Sequence, residues 1–127
     1  MPLVEITLRT GKSPEYIRSV ADAIHEALVA QANVPPDDRF QIVHQVADTS
    51  LIAHPSYGGV SRSSDLIIIK ITLNAGRSVD IKKNLYADIA RRLGNAADVR
   101  RDDVMICLIE VVKENWSFGG GRATYAE

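Results

Sequence analysis

EITLRTGKSPE at 5–15 aligns without a gap on KITLNAGRSVD at 70–80. Ile6, Thr7, Leu8, Gly11 and Ser13 match Ile71, Thr72, Leu73, Gly76 and Ser78, an offset of 65 residues. Farther on, Ala32, Val34, Asp37, Asp38 and Val46 match Ala97, Val99, Asp102, Asp103 and Val111 at the same offset. A repeat of that length governs the fold before any local reading does. Two copies are too few for a solenoid, so they imply a duplicated supersecondary unit about a pseudo-twofold axis.

Each copy reads as strand, helix, strand. Val4, Ile6 and Leu8 alternate with Glu5, Thr7 and Arg9, the pattern of a half-buried strand. Gly11 breaks it. Ser13 then caps a helix with Pro14 at its first position and Glu15 in its first turn. Ile17, Val20, Ala21, Ile24 and Leu28 make one apolar stripe at helical spacing. FQIVHQV at 40–46 closes the unit as a second strand. In the other copy LIIIKITL at 66–73 is a strand, and Ser78 is a cap. Ile81, Leu85, Ile89 and Leu93 form the stripe, and VMICLIEVV at 104–112 closes the unit. A unit of this length is a right-handed crossover between parallel strands.

Two such units joined edge to edge give an α/β (α+β) fold: a four-stranded mixed sheet with two helices on one face. The expected organisation is a single domain over 1–127, with repeat one at 2–46, a linker at 47–65, repeat two at 66–112 and a C-terminal segment at 113–127. Neither the linker nor the C-terminal segment has a counterpart in the other copy's sequence. The strand LIIIKITL is apolar on much of both sides, so the sheet's second face needs cover from other subunits. If the two first strands pair antiparallel across the pseudo-twofold, Pro2 faces the loop NAGRS at 74–78. That places Arg77 within reach of the chain's amino end.

Composition bounds the function. The chain has 127 residues, 46% of them hydrophobic, enough for one ordinary core. With 15 basic and 16 acidic residues the net charge is −1, which offers no electrostatic footprint for nucleic acid or an anionic membrane. The apolar run LIII at 66–69 is far too short to span a bilayer, and no signal peptide is visible. The single cysteine, Cys107, excludes an internal disulfide and fits a reducing compartment, so a soluble cytoplasmic protein is expected. His25, His44 and His54 lack metal-ligand spacing, and no metal is expected. His25 falls near the polar face of the first helix and reads as solvated. GGGR at 119–122 lacks the lysine and the strand-to-helix setting of a phosphate loop and reads as a turn.

Several residues admit two readings. Pro2 is tolerated at the first position of a strand; with Met1 trimmed it is also a free secondary amine. Asp38 can shape the turn into a strand, as its repeat mate Asp103 would, or act as a catalytic acid. Arg77 can be a surface cation, as its mate Lys12 would be, or a planar fork for a carboxylate. Trp116 and Phe118 can plug a core or wall a site.

MPL at the start, VPPDDRFQ at 34–41, SRSS at 61–64, GRS at 76–78 and NWSFGGGRA at 115–123 carry a family resemblance in their order and spacing. The chain resembles the tautomerase superfamily, whose fold is 4-oxalocrotonate tautomerase-like, and within it the malonate semialdehyde decarboxylase branch. The resemblance covers nearly the whole chain. It implies a cofactor-independent enzyme on a small oxo acid, with Pro2 as the catalytic amine, Asp38 as the acid that activates water beside it, and Arg77 as the carboxylate binder. Trp116 and Phe118 become the apolar wall, and the assembly a homotrimer. An ordinary chain amine titrates at about 7.7–8.0; an apolar pocket depresses it toward a free base, and a nearby carboxylate raises it toward a cation. One site thus suits decarboxylation, hydration or keto-enol tautomerisation. Ala75 departs from the branch's RPRS pattern, leaving Arg77 as the loop's one arginine. Asp37 and Asp103 are left structural, and Arg62 without a role. The competing class is a non-catalytic oligomeric scaffold that keeps the fold.

Overall fold

The computed structural model describes residues 1–126, so Glu127 at the tip of the expected C-terminal segment lies outside the described residues. The first copy forms β1 (Pro2–Arg9), α1 (Pro14–Ala32) and β2 (Gln41–Val46); the second forms β3 (Ile67–Asn74), α2 (Val79–Ala97) and β4 (Val104–Val111). The ends of β2, β3 and β4 fall within one residue of those read from sequence, and β1 begins two residues before the alternation of Val4 to Arg9. Short 3-10 turns occupy Asp48–Ser50, Arg101–Asp103 and Lys113–Asn115.

The expected antiparallel joint is present. Strand order is β2-β1-β3-β4; the outer pairs are parallel, and β1 runs antiparallel to β3 with Pro2 opposite Leu73 and Val4 opposite Ile71. Val4, Ile6 and Leu8 of β1 join Ile67, Ile69 and Leu73 of β3 in the core, at 1% exposure or less. Both helices lie on that face. Val20, Ile24 and Leu28 of α1 and Leu85, Ile89 and Leu93 of α2 complete the cluster.

Helix ends repeat as the sequence does. Ser13 accepts from the Tyr16 amide at 3.0 Å and Ser78 from the Ile81 amide at 3.2 Å. Each helix stops at a left-handed residue, Asn33 at φ 56° and Asp98 at φ 54°. After each first strand comes a glycine at positive φ, Gly11 at 109° and Gly76 at 126°, where a side chain would be strained.

The structural repeat runs past the strands. The turn Asp48–Ser50 recurs at Lys113–Asn115 at the same offset. The Thr10 amide donates to the Val46 carbonyl as the Ala75 amide does to Val111, both at 2.9 Å. These segments share geometry without sharing sequence, because backbone bonds hold them.

The sheet's other face is uncovered. It presents Ile42 and Met105 at 46% exposure and Ile109 at 38%. At its centre Glu5 lies 3.3 Å from His44 Nε2 and 3.9 Å from Lys70 Nζ. No helix among the described residues is long and apolar enough to cross a membrane.

Candidate active site

Asp38 meets the amino end of the chain. The Met1 ammonium lies 3.5 Å from Asp38 Oδ2, and both side chains are largely buried, at 6% and 20% exposure. Two anchors to α1 hold the turn that carries Asp38. His25 Nε2 donates to the Pro36 carbonyl at 2.7 Å; a carbonyl can only accept, so this nitrogen bears the hydrogen. On the other side, Arg39 donates to Asp22 at 2.6 Å and to Gln41 at 2.8 Å. The hydrogen bond from Arg39 holds the Asp22 carboxyl below its ordinary range, against a smaller opposing effect of burial. Within the turn the Asp38 amide donates to the Pro35 carbonyl at 3.0 Å. His25 is therefore not solvated, as its helical position suggests, but 91% buried as the strut under this turn.

Arg77 occupies the loop after β3, whose last core residue, Leu73, pairs with Pro2. Its guanidinium turns to the end of α1. Nε and Nη2 donate to the Ala32 carbonyl at 3.1 and 2.8 Å, and Nη1 donates to the Asn74 carbonyl at 3.1 Å. A helix C-terminus has unpaired carbonyls and partial negative charge, so a cation there is stabilised. These three bonds leave two of the five guanidinium N–H groups for another acceptor. Among the described residues no hydrogen bond links Arg77 to Pro2 or Asp38; their association is one of adjacent elements.

Trp116 comes to the same loop from the far end of the chain. Its indole Nε1 donates to Asn74 Oδ1 at 2.7 Å. Phe118, 42% exposed, stacks on it with ring centroids 6.4 Å apart, and Tyr125 meets Phe118 edge-on at 5.3 Å. Neither aromatic plugs the core. GGGR forms a turn, with Gly120 and Gly121 at φ 66° and 69°.

The equivalent place at the start of β3 treats the matching residues differently. Asp103 is fully buried; it accepts from the Ser63 amide at 2.7 Å, the Ser63 hydroxyl at 2.6 Å and Arg100 at 3.3 Å. Asp102 accepts from the Ser61 amide at 3.0 Å. Lys12, the mate of Arg77, is ion-paired with Asp65 at 2.7 Å. SRSS thus ties down the linker, and within it Arg62 donates to the carbonyls of His54 and Tyr57.

Sequence reading passed over Asn74 and took His25 for a solvated residue. Asn74 has the look of an ordinary turn residue; its partners lie 3 and 42 positions away. A groove of about 690 Å³ lies between α1 and β2, with Arg39 and Gln41 in its lining but not Pro2, Asp38 or Arg77. Among the described residues no group of three or more His, Cys, Asp or Glu side chains is placed to hold a metal ion.

Comparison with known proteins adds a second line. Two family models described as tautomerase enzyme match residues 38–119 and 2–60. The chain is 39% identical over 127 residues, all of both chains, to the probable tautomerase YusQ of Bacillus subtilis (strain 168). It is 28% identical over 125 residues to the probable tautomerase YrdN of the same strain, covering 98% of this chain and 96% of that one. Among solved structures it superposes on FG41 malonate semialdehyde decarboxylase inhibited by 3-bromopropiolate with a TM-score of 0.91. Identity there is 36%, over 98% of this chain and 94% of the other. A second malonate semialdehyde decarboxylase, described with decarboxylase and hydratase activities, gives 0.91 at 31% identity, covering 98% and 95%. A fused 4-OT symmetric trimer shares the fold at 0.79 and 20% identity, covering 98% of each.

Proposed function

The chain belongs to the tautomerase family, on its malonate semialdehyde decarboxylase-like branch, and on that premise we propose that Pro2, Asp38 and Arg77 form a cofactor-independent site for a small oxo acid. The carrying observation is the approach of the chain's amino group to Asp38 at 3.5 Å. Trimming of Met1 moves that amine to Pro2, one residue or about 3.8 Å along the chain. In decarboxylation of a 3-oxo acid the bond to the carboxylate carbon breaks and CO2 leaves. The electron pair passes into the carbonyl as an enolate, and the Pro2 ammonium stabilises that oxygen or returns a proton to carbon. In hydration, Asp38 takes the proton of the attacking water. Arg77 holds the carboxylate with its two remaining N–H groups, and Trp116 with Phe118 walls the site. Malonate semialdehyde is the leading substrate, with hydration of an acetylenic acid and keto-enol tautomerisation as side activities.

The proposed assembly is a homotrimer. Ile42, Met105 and Ile109 on the open sheet face support it. The fold relative described as a symmetric trimer points the same way. Sedimentation equilibrium reads the mass directly, and a stable monomer with unchanged secondary structure contradicts the packing. A chain that keeps Met1 has no free amine at Pro2 and would be the scaffold of the competing reading. The functional test is turnover of malonate semialdehyde, phenylpyruvate and 2-hydroxymuconate by a chain whose mass shows that it begins at Pro2. Decarboxylation fastest on malonate semialdehyde is expected; no turnover of any of the three contradicts the proposal.

A further inference from the structure

We infer that Asn74 is a positioning residue, holding the aromatic wall and the carboxylate clamp in one fixed relation. The inference rests on the oxo-acid reading above.

Asn74 ends β3, one residue beyond the partner of Pro2. Its side-chain oxygen accepts from Trp116, and its main-chain oxygen accepts from Arg77. An indole N–H only donates, so the orientation of the Asn74 amide is determined: Oδ1 faces Trp116. No other side-chain hydrogen bond recorded among the described residues joins Trp116 to the body of the fold. Through that bond the tail carrying Phe118 is fastened to the loop carrying Arg77.

The repeat shows that this arrangement differs from the fold's ordinary solution. The mate of Asn74 is Arg9, and the mate of Trp116 is Leu51. Arg9 Nη2 donates to the Leu51 carbonyl at 2.7 Å, and the same guanidinium reaches the carbonyls of Asp48 and Ser64. Both copies therefore use the side chain at the end of the first strand to fasten the turn after the last. In the first copy a long cation does so by gripping backbone and, at 3.0 Å, the Asp48 carboxylate. In the second a short neutral amide does so by gripping an indole. An arginine at 74, as in the first copy, would place a second cation three residues from Arg77. Asn74 thus ties an aromatic side chain and a cation to one residue, which fixes the tail carrying Phe118 relative to the loop carrying Arg77.

Trp116 is the chain's one tryptophan, so its emission reports this contact without reference to activity. Asn74→Ala should shift that emission to longer wavelength and raise acrylamide quenching about twofold or more, with the far-ultraviolet circular dichroism unchanged. On the wild type's best oxo acid, kcat/KM should fall about tenfold, mostly through KM. Trp116→Phe keeps a ring and loses the donor; it should reproduce the kinetic loss, and the double variant should lose no more. Asn74→Asp keeps an acceptor and should restore the emission, while its charge keeps KM for an anion raised. Unchanged emission and quenching in Asn74→Ala overturn the inference. So do additive kinetic losses in the double variant. Absence of turnover in the wild type contradicts the oxo-acid reading instead, and the emission of Asn74→Ala still decides whether Asn74 holds Trp116.

Discussion

The two copies of the unit share a frame and differ in what fills it. At the start of β3 the linker closes the space: Ser63 satisfies Asp103, and Asp65 neutralises Lys12 of the other copy. At the start of β1 the matching space holds the amino end of the chain beside Asp38, and Arg77, reaching in from the second copy, is anchored on backbone carbonyls with donors to spare. A duplicated fold thus yields two acids and two cations in equivalent places. Where the chain supplies its own hydroxyl and carboxylate, the place is structural. Where it does not, a substrate can supply them.

Substitutions that treat the mates alike should break that comparison or sharpen it. The largest effect is expected at Asp38. If it moves a proton, Asp38→Asn lowers turnover by roughly 10²–10⁴-fold while the melting temperature stays near that of wild type, because asparagine also suits the turn. Equal loss of folding and activity would instead make Asp38 a second Asp103.

Next come the two cations. Loss of one partner of a desolvated charge pair costs roughly 2–5 kcal/mol, so Arg77→Ala should reduce kcat/KM by about 30-fold or more. Lysine should rescue only in part, since it restores charge without the fork. Lys12→Ala should leave kcat/KM within about twofold and cost at most about 1 kcal/mol, the range for an exposed pair. Comparable kinetic losses at 12 and 77 would remove the asymmetry on which the account stands.

Asp103→Asn should act through stability alone. It leaves a buried amide where two Ser63 donors point, at a cost of about 1–3 kcal/mol in denaturant titration, with activity per folded molecule little changed. The smallest effect expected concerns pH. Asp22 has a depressed folded pKa, so its bond to Arg39 stabilises the turn of Asp38 above the ordinary carboxylate pKa. That contribution is lost as pH falls through the folded value. Stability measured from pH 6 down to pH 2 should therefore fall less steeply in Asp22→Asn than in wild type; identical profiles would mean that the bond contributes nothing.

What could be read from sequence follows from how local each cause is. The alternation of Val4, Ile6 and Leu8 and the stripe Leu85, Ile89, Leu93 record burial within a few residues, and the repeat extended that reading to the antiparallel joint of β1 and β3. Asp38 stood out only through the family resemblance, since VPPDDRFQ by itself reads equally as a turn into a strand, and its contact with the chain end 37 residues away leaves no local mark. His25 was not: it lies near the polar side of α1, and the carbonyl of Pro36 folding over it, eleven positions on, makes that site buried. The seat of Arg77 on Ala32 was equally hidden, since it depends on where α1 ends against a loop 45 residues later. Asn74 escaped because its partner, Trp116, is in a tail whose match to residue 51 exists only in geometry.

The central claim is that a free amine at Pro2 does the chemistry beside Asp38. Its most direct measurement compares two preparations of otherwise identical chain by intact mass and by turnover of malonate semialdehyde: one begins at Pro2, and one retains Met1 because methionine aminopeptidase was inhibited during expression. The account predicts turnover in the first and a loss of at least about 10²-fold in the second, at equal melting temperature. Equal turnover in the two preparations would contradict it.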